Sequence, residues 1–277
     1  GISLLLTSEE KGKAALQNQK PSLSRKSSLS QFESAGNFSQ PSLLKPSSNS
    51  RPFGGRTEEN ESLKDKYPLI LASALLHDIG HGPFSHVTEK ILHYDHEEWS
   101  CRIISGNTQV NRVLESFTEF PNLAKEIVKV LKKEYKPKYI SHMVSSQLDC
   151  DRFDYLLRDS YTTGTKYGLY ALQRIIRSME VDEENDRMIV VGEKGQIAVE
   201  DYLFARYSMY AQVYYHRKNL AARCLLSKLI KRARHVMEHR EKPIVFIDEP
   251  TEKWLKGQPL TEADYLKLDD YQMNYHI

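Results

Sequence analysis

The segment from Tyr67 to Leu76, YPLILASALL, most narrows what this chain can become. Proline near the start sets the first helical turn without wasting a donor, and Leu69, Ile70, Leu71, Ala72, Ala74, Leu75 and Leu76 make the helix apolar almost all round. Such a helix is expected to be buried. The run falls short of the roughly 18 to 20 apolar residues that a membrane span needs, and no other stretch of the 277 reaches that length. An integral membrane protein is excluded, and the helix belongs in a core that a chain of this size can build without a disulfide or metal staple. Gly80 is expected to close the segment in a left-handed cap, and Gly82-Pro83 to turn the chain before Phe84.

Upstream the text changes character. From about Thr7 to Lys66 it is rich in Ser, Pro, Gln and Asn with no apolar period, so residues 1–66 read as a disordered tail or linker. Downstream, helical patterns dominate at Asp95–Ile104, Asn122–Glu134, Lys138–Asp159, Leu169–Met179 and Glu200 to about His239. One hairpin is expected, with strands Met188–Val191 and Gln196–Val199 around the turn Gly192–Gly195. The fold class is therefore mostly α with a small β-hairpin. Residues 67–240 form the main domain, and 241–277 are expected to be an incomplete C-terminal element. The chain opens with Gly1 and its first methionine is Met143, which reads as a processed product or a fragment.

Bulk charge and cysteines exclude other classes. With 39 Lys+Arg against 37 Asp+Glu the net charge is +2, too little for a wholesale nucleic-acid footprint. Cys101, Cys150 and Cys224 are odd in number and widely spaced, which argues against a disulfide framework or a zinc knuckle and for a reducing, cytoplasmic setting.

Two clusters carry chemistry. His77 and Asp78 stand where the apolar helix ends, among unpaired carbonyls and a negative dipole that favour a cation. An isolated His-Asp pair also suits a simple cap. The second cluster, Leu148-Asp-Cys-Asp-Arg-Phe-Asp-Tyr-Leu-Leu-Arg-Asp159, sets Asp151 and Asp154 on one helical face with Tyr155 and Arg158. Carboxylates on a half-buried face want a metal or an arginine, so a metal site and an ion-pair network with Arg152 and Arg158 both stay open. Together the clusters offer imidazole and carboxylate ligands suited to a divalent ion such as Mn, Fe, Mg or Zn. Such an ion lowers the pKa of bound water and screens a phosphate ester under attack.

L-L-H-D-I-G-H-G-P-F-S-H, D-H-E-E-W-S and D-C-D-R-F-D-Y-L-L-R-D resemble the HD-domain phosphohydrolases, most of all the deoxynucleoside triphosphate triphosphohydrolase branch. The resemblance covers roughly Pro68 to Arg240. It implies an HD-type helical bundle in which His77, Asp78 and Asp151 ligate a metal. It further implies that His81 and His86 face the substrate phosphates and that His96 with Glu97 assists proton transfer. Arg152 and Tyr155 would then contact the triphosphate, and Asp159 the sugar. The segment R-Y-S-M-Y-A-Q-V-Y-Y-H resembles a nucleotide-pocket lining, which implies Arg206 at a phosphate and Tyr214 near base or sugar. The implied reaction releases nucleoside and triphosphate from a (d)NTP. The implied partners are a nucleotide and further copies of the chain, with neither nucleic acid nor membrane expected.

One departure shapes the alternatives. The family's metal set includes a first histidine within Arg-x-x-His on a preceding helix, and here no histidine precedes His77. A partial or mis-joined chain, or an unusual isoform, is the expected explanation. A catalytically inactive HD scaffold that binds nucleotide or a partner is the rival reading. The basic stretch from His216 to His235 leaves a nucleic-acid binder as the third.

Overall fold

The structure, a computed structural model, describes residues 63–239 and 247–276. The Ser-rich segment expected to be disordered lies outside them up to residue 62. The order is α1 (Tyr67–Leu76), α2 (His86–Leu92), α3 (His96–Ser105), α4 (Gln109–Glu115), α5 (Leu123–Leu131), α6 (Lys138–Val144), α7 (Cys150–Thr162) and α8 (Leu172–Ser178). There follow β1 (Met179–Asp182), β2 (Arg187–Val190), α9 (Glu193–Met209), one π-helical turn at Tyr210–Tyr214, α10 (Arg217–His239), α11 (Glu249–Leu255), α12 (Glu262–Tyr265) and α13 (Asp270–His276). The fold is mostly helical with one two-stranded antiparallel sheet, as the sequence implies.

Helix α3 is the hinge of the core because its two faces serve different clusters. Ile104 joins Leu69, Ile127, Ile140 and Val144, whereas Trp99 and Ile103 join Ile230, Trp254, Leu255 and Tyr265. Residues 247–276 thus share a core with α3. A third cluster packs α7 on α8 and α9 through Phe153, Leu156, Ile175, Tyr202 and Met209.

Five expectations need correction. α1 is not wholly buried: Leu69 and Ser73 are, while Leu71 and Leu75 stand 51% and 81% exposed. Gly80 takes no left-handed cap, since the helix already ends at Leu76 and Gly80 is absent from the positive-φ glycines. What it supplies is room, for a Cβ there would lie 2.2 Å from the His96 carbonyl oxygen. The hairpin sits one element earlier than expected. Asp182 accepts from Asn185 and Arg187 and fixes the turn between β1 and β2, with Met179 opposite Val190. Gln196–Val199 belongs to α9, because Gly195 lets that helix press on Ser178 and Val190. Finally, Lys138–Asp159 is two helices. Ser145 is extended, and Asp149 caps α7 while accepting from the amides of both Ser146 and Arg152, local bonds that compete with helix. The long C-terminal helix is likewise split at the π turn.

Candidate metal centre and adjoining histidine cluster

α1 delivers His77 and Asp78 at its C-terminal end, and the break before α7 lets Asp151, in that helix's first turn, meet them. His77 Nε2 lies 3.3 Å from an Asp78 carboxylate oxygen and 3.6 Å from one of Asp151. One ligand atom from each of the three residues fits within a 4.8 Å circle of mutual distance. The ring is oriented from behind: His77 Nδ1 sits 2.8 Å from the Ala74 carbonyl, which leaves Nε2 to face the carboxylates. That buried Nε2 has no hydrogen-bond partner. Asp151 foremost, with the Ala74 carbonyl and Asp78, outweighs burial and raises His77 to about 9; His77 in turn lowers Asp151. An imidazole nitrogen without a hydrogen bond, set 3.3 and 3.6 Å from two carboxylate oxygens, fits a divalent cation.

The acidic cluster of α7 therefore divides. Asp154 pairs with Arg158 at 2.7 Å in solvent, and Arg152 turns back to Asp149 and the Ser146 carbonyl. The ion-pair reading holds for these two, while Asp151 faces His77. Arg152 is thus engaged away from Asp151, although its buried Nε remains unpartnered.

A histidine cluster adjoins the first. His81 Nε2 and His96 Nε2 lie 3.8 and 4.0 Å from the same Asp78 oxygen. His81 and His96 stack with ring centres 4.0 Å apart, and His86 meets His81 edge-on at 4.7 Å. Glu89, not anticipated from the sequence, ties the group together. One of its oxygens is 2.8 Å from His96 Nδ1 and the other 2.8 Å from His86 Nδ1. The signal available in the sequence was His86-x-x-Glu89, an i,i+3 pair on one short helix. Burial opposes ionisation of Glu89, but the bonds from His86 and His96 prevail and hold its pKa at about 2. His81 is pushed down by burial, with neighbouring His96 and His86 adding. Glu97 is exposed, and its backbone N–H binds Asp95 as part of the α3 cap; its carboxylate joins neither cluster among the described residues.

Along α7, Asp151, Tyr155 and Asp159 recur every four residues and form one row about 12 Å long at 1.5 Å per residue. The Tyr214 hydroxyl donates to Asp159 at 2.6 Å, and the rings of Tyr155 and Tyr214 meet edge-on. Arg206 lies with its guanidinium 5.3 Å from the Tyr210 ring centre, and its buried Nε has no partner. Burial raises Tyr155 to about 12, against the pull of Arg206. The π turn widens the helix at Tyr210–Tyr214, bringing Tyr214 to Asp159.

A helical fold with a His-Asp pair and a distant aspartate converging on one point is the arrangement of an HD-type domain. Residues 58–159 match the HD domain and residues 171–272 the HD associated region, and the chain belongs to the HD-domain family. HD domains bind divalent metals. The uncharacterized protein YwfO of Bacillus subtilis (strain 168) is 42% identical over 227 residues, covering 81% of this chain and 50% of that protein. A crystal structure of a phosphohydrolase from Bacteroides thetaiotaomicron superposes with a TM-score of 0.63 at 32% identity, covering 76% of this chain and 51% of that one. A deoxynucleoside triphosphate triphosphohydrolase SAMHD1 homolog of Dictyostelium discoideum is 27% identical over 172 residues, 57% of this chain and 32% of that protein. The chain thus spans about half the length of YwfO and of the solved phosphohydrolase. Among the described residues no helix is long and apolar enough to cross a membrane.

Proposed function

We propose that the chain is a metal-dependent phosphohydrolase that splits a (d)NTP into nucleoside and triphosphate. The observation that carries this reading is the convergence of His77 Nε2 with the carboxylates of Asp78 and Asp151, leaving a buried nitrogen without a partner. The likeness to the Dictyostelium triphosphohydrolase supports the choice of substrate.

His77, Asp78 and Asp151 would hold the ion. A bound divalent cation supplies a low-pKa water and neutralises phosphate charge. His81, beside Asp78, and His86, edge-on to His81, offer ring N–H groups to phosphate oxygens. His96, wired through Nδ1 to Glu89, keeps Nε2 toward the cluster, where it holds or gives up a proton. Arg206 and Tyr155 meet the charged end of the substrate, and Asp159, already accepting from Tyr214, takes a sugar hydroxyl as a second donor.

The test supplies manganese and each dNTP in turn and follows nucleoside and inorganic triphosphate by chromatography. Equimolar release of the two supports the reading, whereas monophosphate with pyrophosphate overturns it. Among the described residues three protein ligands converge, which favours a second reading, a scaffold that binds nucleotide without turnover. Saturable nucleotide binding with no product would select it.

A further inference from the structure

The loop Gly80–Ser85, which carries His81 and leads into His86, is held from outside the HD half of the chain. At one end the buried Tyr265 hydroxyl donates to the Gly80 carbonyl at 2.6 Å, while Ser100 of α3 accepts from the Gly80 amide at 2.9 Å. At the other end the Phe84 amide donates to Asp270 at 2.7 Å. Between them Gly82 passes so close to the hydroxyls of Tyr94 and Tyr265 that a Cβ would lie 2.7 and 3.0 Å away. The loop needs holding, because Phe84 and Ser85 are consecutive non-glycine residues with φ of 56° and 49°. That backbone persists only where its surroundings over-determine it.

Both holding residues are themselves fixed. Tyr265 stacks on Trp99 at 3.8 Å with the rings nearly parallel. Asp270 opens α13, which Asp248 anchors by accepting from Gln272 at 2.7 Å and approaching His276 Nε2 at 2.7 Å. The residues of this anchor lie 163 or more positions downstream of the loop they steady, so the sequence places them in no recognisable motif with it.

We propose that Tyr265 and Asp270 are positioning residues that set His81 against Asp78 and His86 against His81, so that the associated region governs turnover without touching metal or substrate. The proposal rests on the phosphohydrolase reading for the word turnover, but the loop geometry it asserts is measurable without it. The experiment compares full-length wild type, Tyr265→Phe, Asp270→Ala and Asp270→Asn, each saturated with zinc, by NMR of the histidine rings together with steady-state kinetics. Asp270→Ala and Tyr265→Phe should shift or broaden the His81 and His86 ring signals and leave His142, far along the chain on α6, where it is. Asp270→Asn, which keeps an acceptor oxygen, should restore the wild-type positions.

In the kinetics, kcat should fall roughly 10- to 100-fold with KM little changed, the signature of misplaced reacting groups. Tyr265→Phe retains the ring stack on Trp99 and so separates loss of the bond from loss of the fold. His81 and His86 signals that coincide with wild type in both Asp270→Ala and Tyr265→Phe overturn the proposal. A wild type that releases no product from any nucleotide defeats the phosphohydrolase reading instead, and the ring signals still decide whether the loop is held as described.

Discussion

The two clusters that meet at Asp78 are built on opposite plans. In the first, His77 is oriented from behind by the Ala74 carbonyl, and its forward nitrogen faces Asp78 and Asp151 with no hydrogen bond to satisfy it. In the second, His86 and His96 both spend Nδ1 on Glu89, which fixes their rings without closing the other nitrogen. The first arrangement leaves a gap between ligands that a cation can fill. The second leaves acid–base groups aimed and ready. An unsatisfied buried nitrogen is costly in isolation, so its retention beside two carboxylates argues for an occupant, whereas the Glu89 pair is complete as it stands.

The largest effect should come from breaking the first plan. Asp151→Asn removes one of two carboxylates facing His77, and metal affinity should fall by at least about 100-fold, beyond what losing an outer-shell partner costs. Metal analysis after dialysis reads this directly, and product release should vanish with the ion. Retention of stoichiometric metal by this variant would remove the ligand assignment.

Glu89→Gln breaks the second plan and leaves the first intact. The amide cannot accept from both histidines through two oxygens, so His86 and His96 lose their common orientation. Product release should fall roughly 10- to 100-fold, at or below the lower limit of what positioned acid–base groups contribute, while metal content stays at the wild-type level. A parallel loss of metal would merge the two clusters into one functional unit.

A smaller effect is expected at the far end of the α7 row. Tyr214→Phe deletes the donor to Asp159, a bond to a charged acceptor worth about 1.5 to 3 kcal/mol before solvent and substrate compensate. The expected result is a KM raised roughly 5- to 10-fold with kcat little altered, measured on the best dNTP. Equal KM values would leave Asp159 and Tyr214 as packing partners only.

How much of this was legible differs between the clusters for the same reason that their plans differ. His77-Asp78 and Asp151 stand in compact motifs, and helix periodicity alone puts Asp151, Tyr155 and Asp159 in one row. Glu89 went unseen because its role depends on α2 turning back toward His96 across the left-handed His93, a tertiary event with no local signature beyond an i,i+3 pair. Arg152 was drawn toward the substrate by its place in the motif, but the Ser145–Asp149 break gives it a nearer carboxylate in Asp149. The hairpin was misplaced because Gly192 and Gly195 carry turn chemistry in sequence, yet here serve the start and the close packing of α9. The longer helices were readable; the short ones, α2, α4 and those after residue 247, were not, nor were the interruptions set by side-chain bonds such as those of Asp149.

The smallest effect sharpens the comparison through pH. Glu89 is held near 2 against an ordinary 4.5, because the bonds from His86 and His96 favour its charged form despite burial. A carboxylate whose folded pKa is depressed contributes stability that is fully present above 4.5 and is lost as pH falls through about 2. Between those limits wild type should therefore lose stability with falling pH more steeply than Glu89→Gln, whose side chain does not titrate. Glu89 is mostly buried, but its partner His86 is 64% exposed and that bond is screened by solvent, so the difference should be modest, read from the slopes of paired denaturant titrations of the two proteins at pH 5, 4 and 3. Identical slopes would mean that the two histidines do not favour ionised Glu89 in solution, and the wired half of the site would then be no better oriented than the open half.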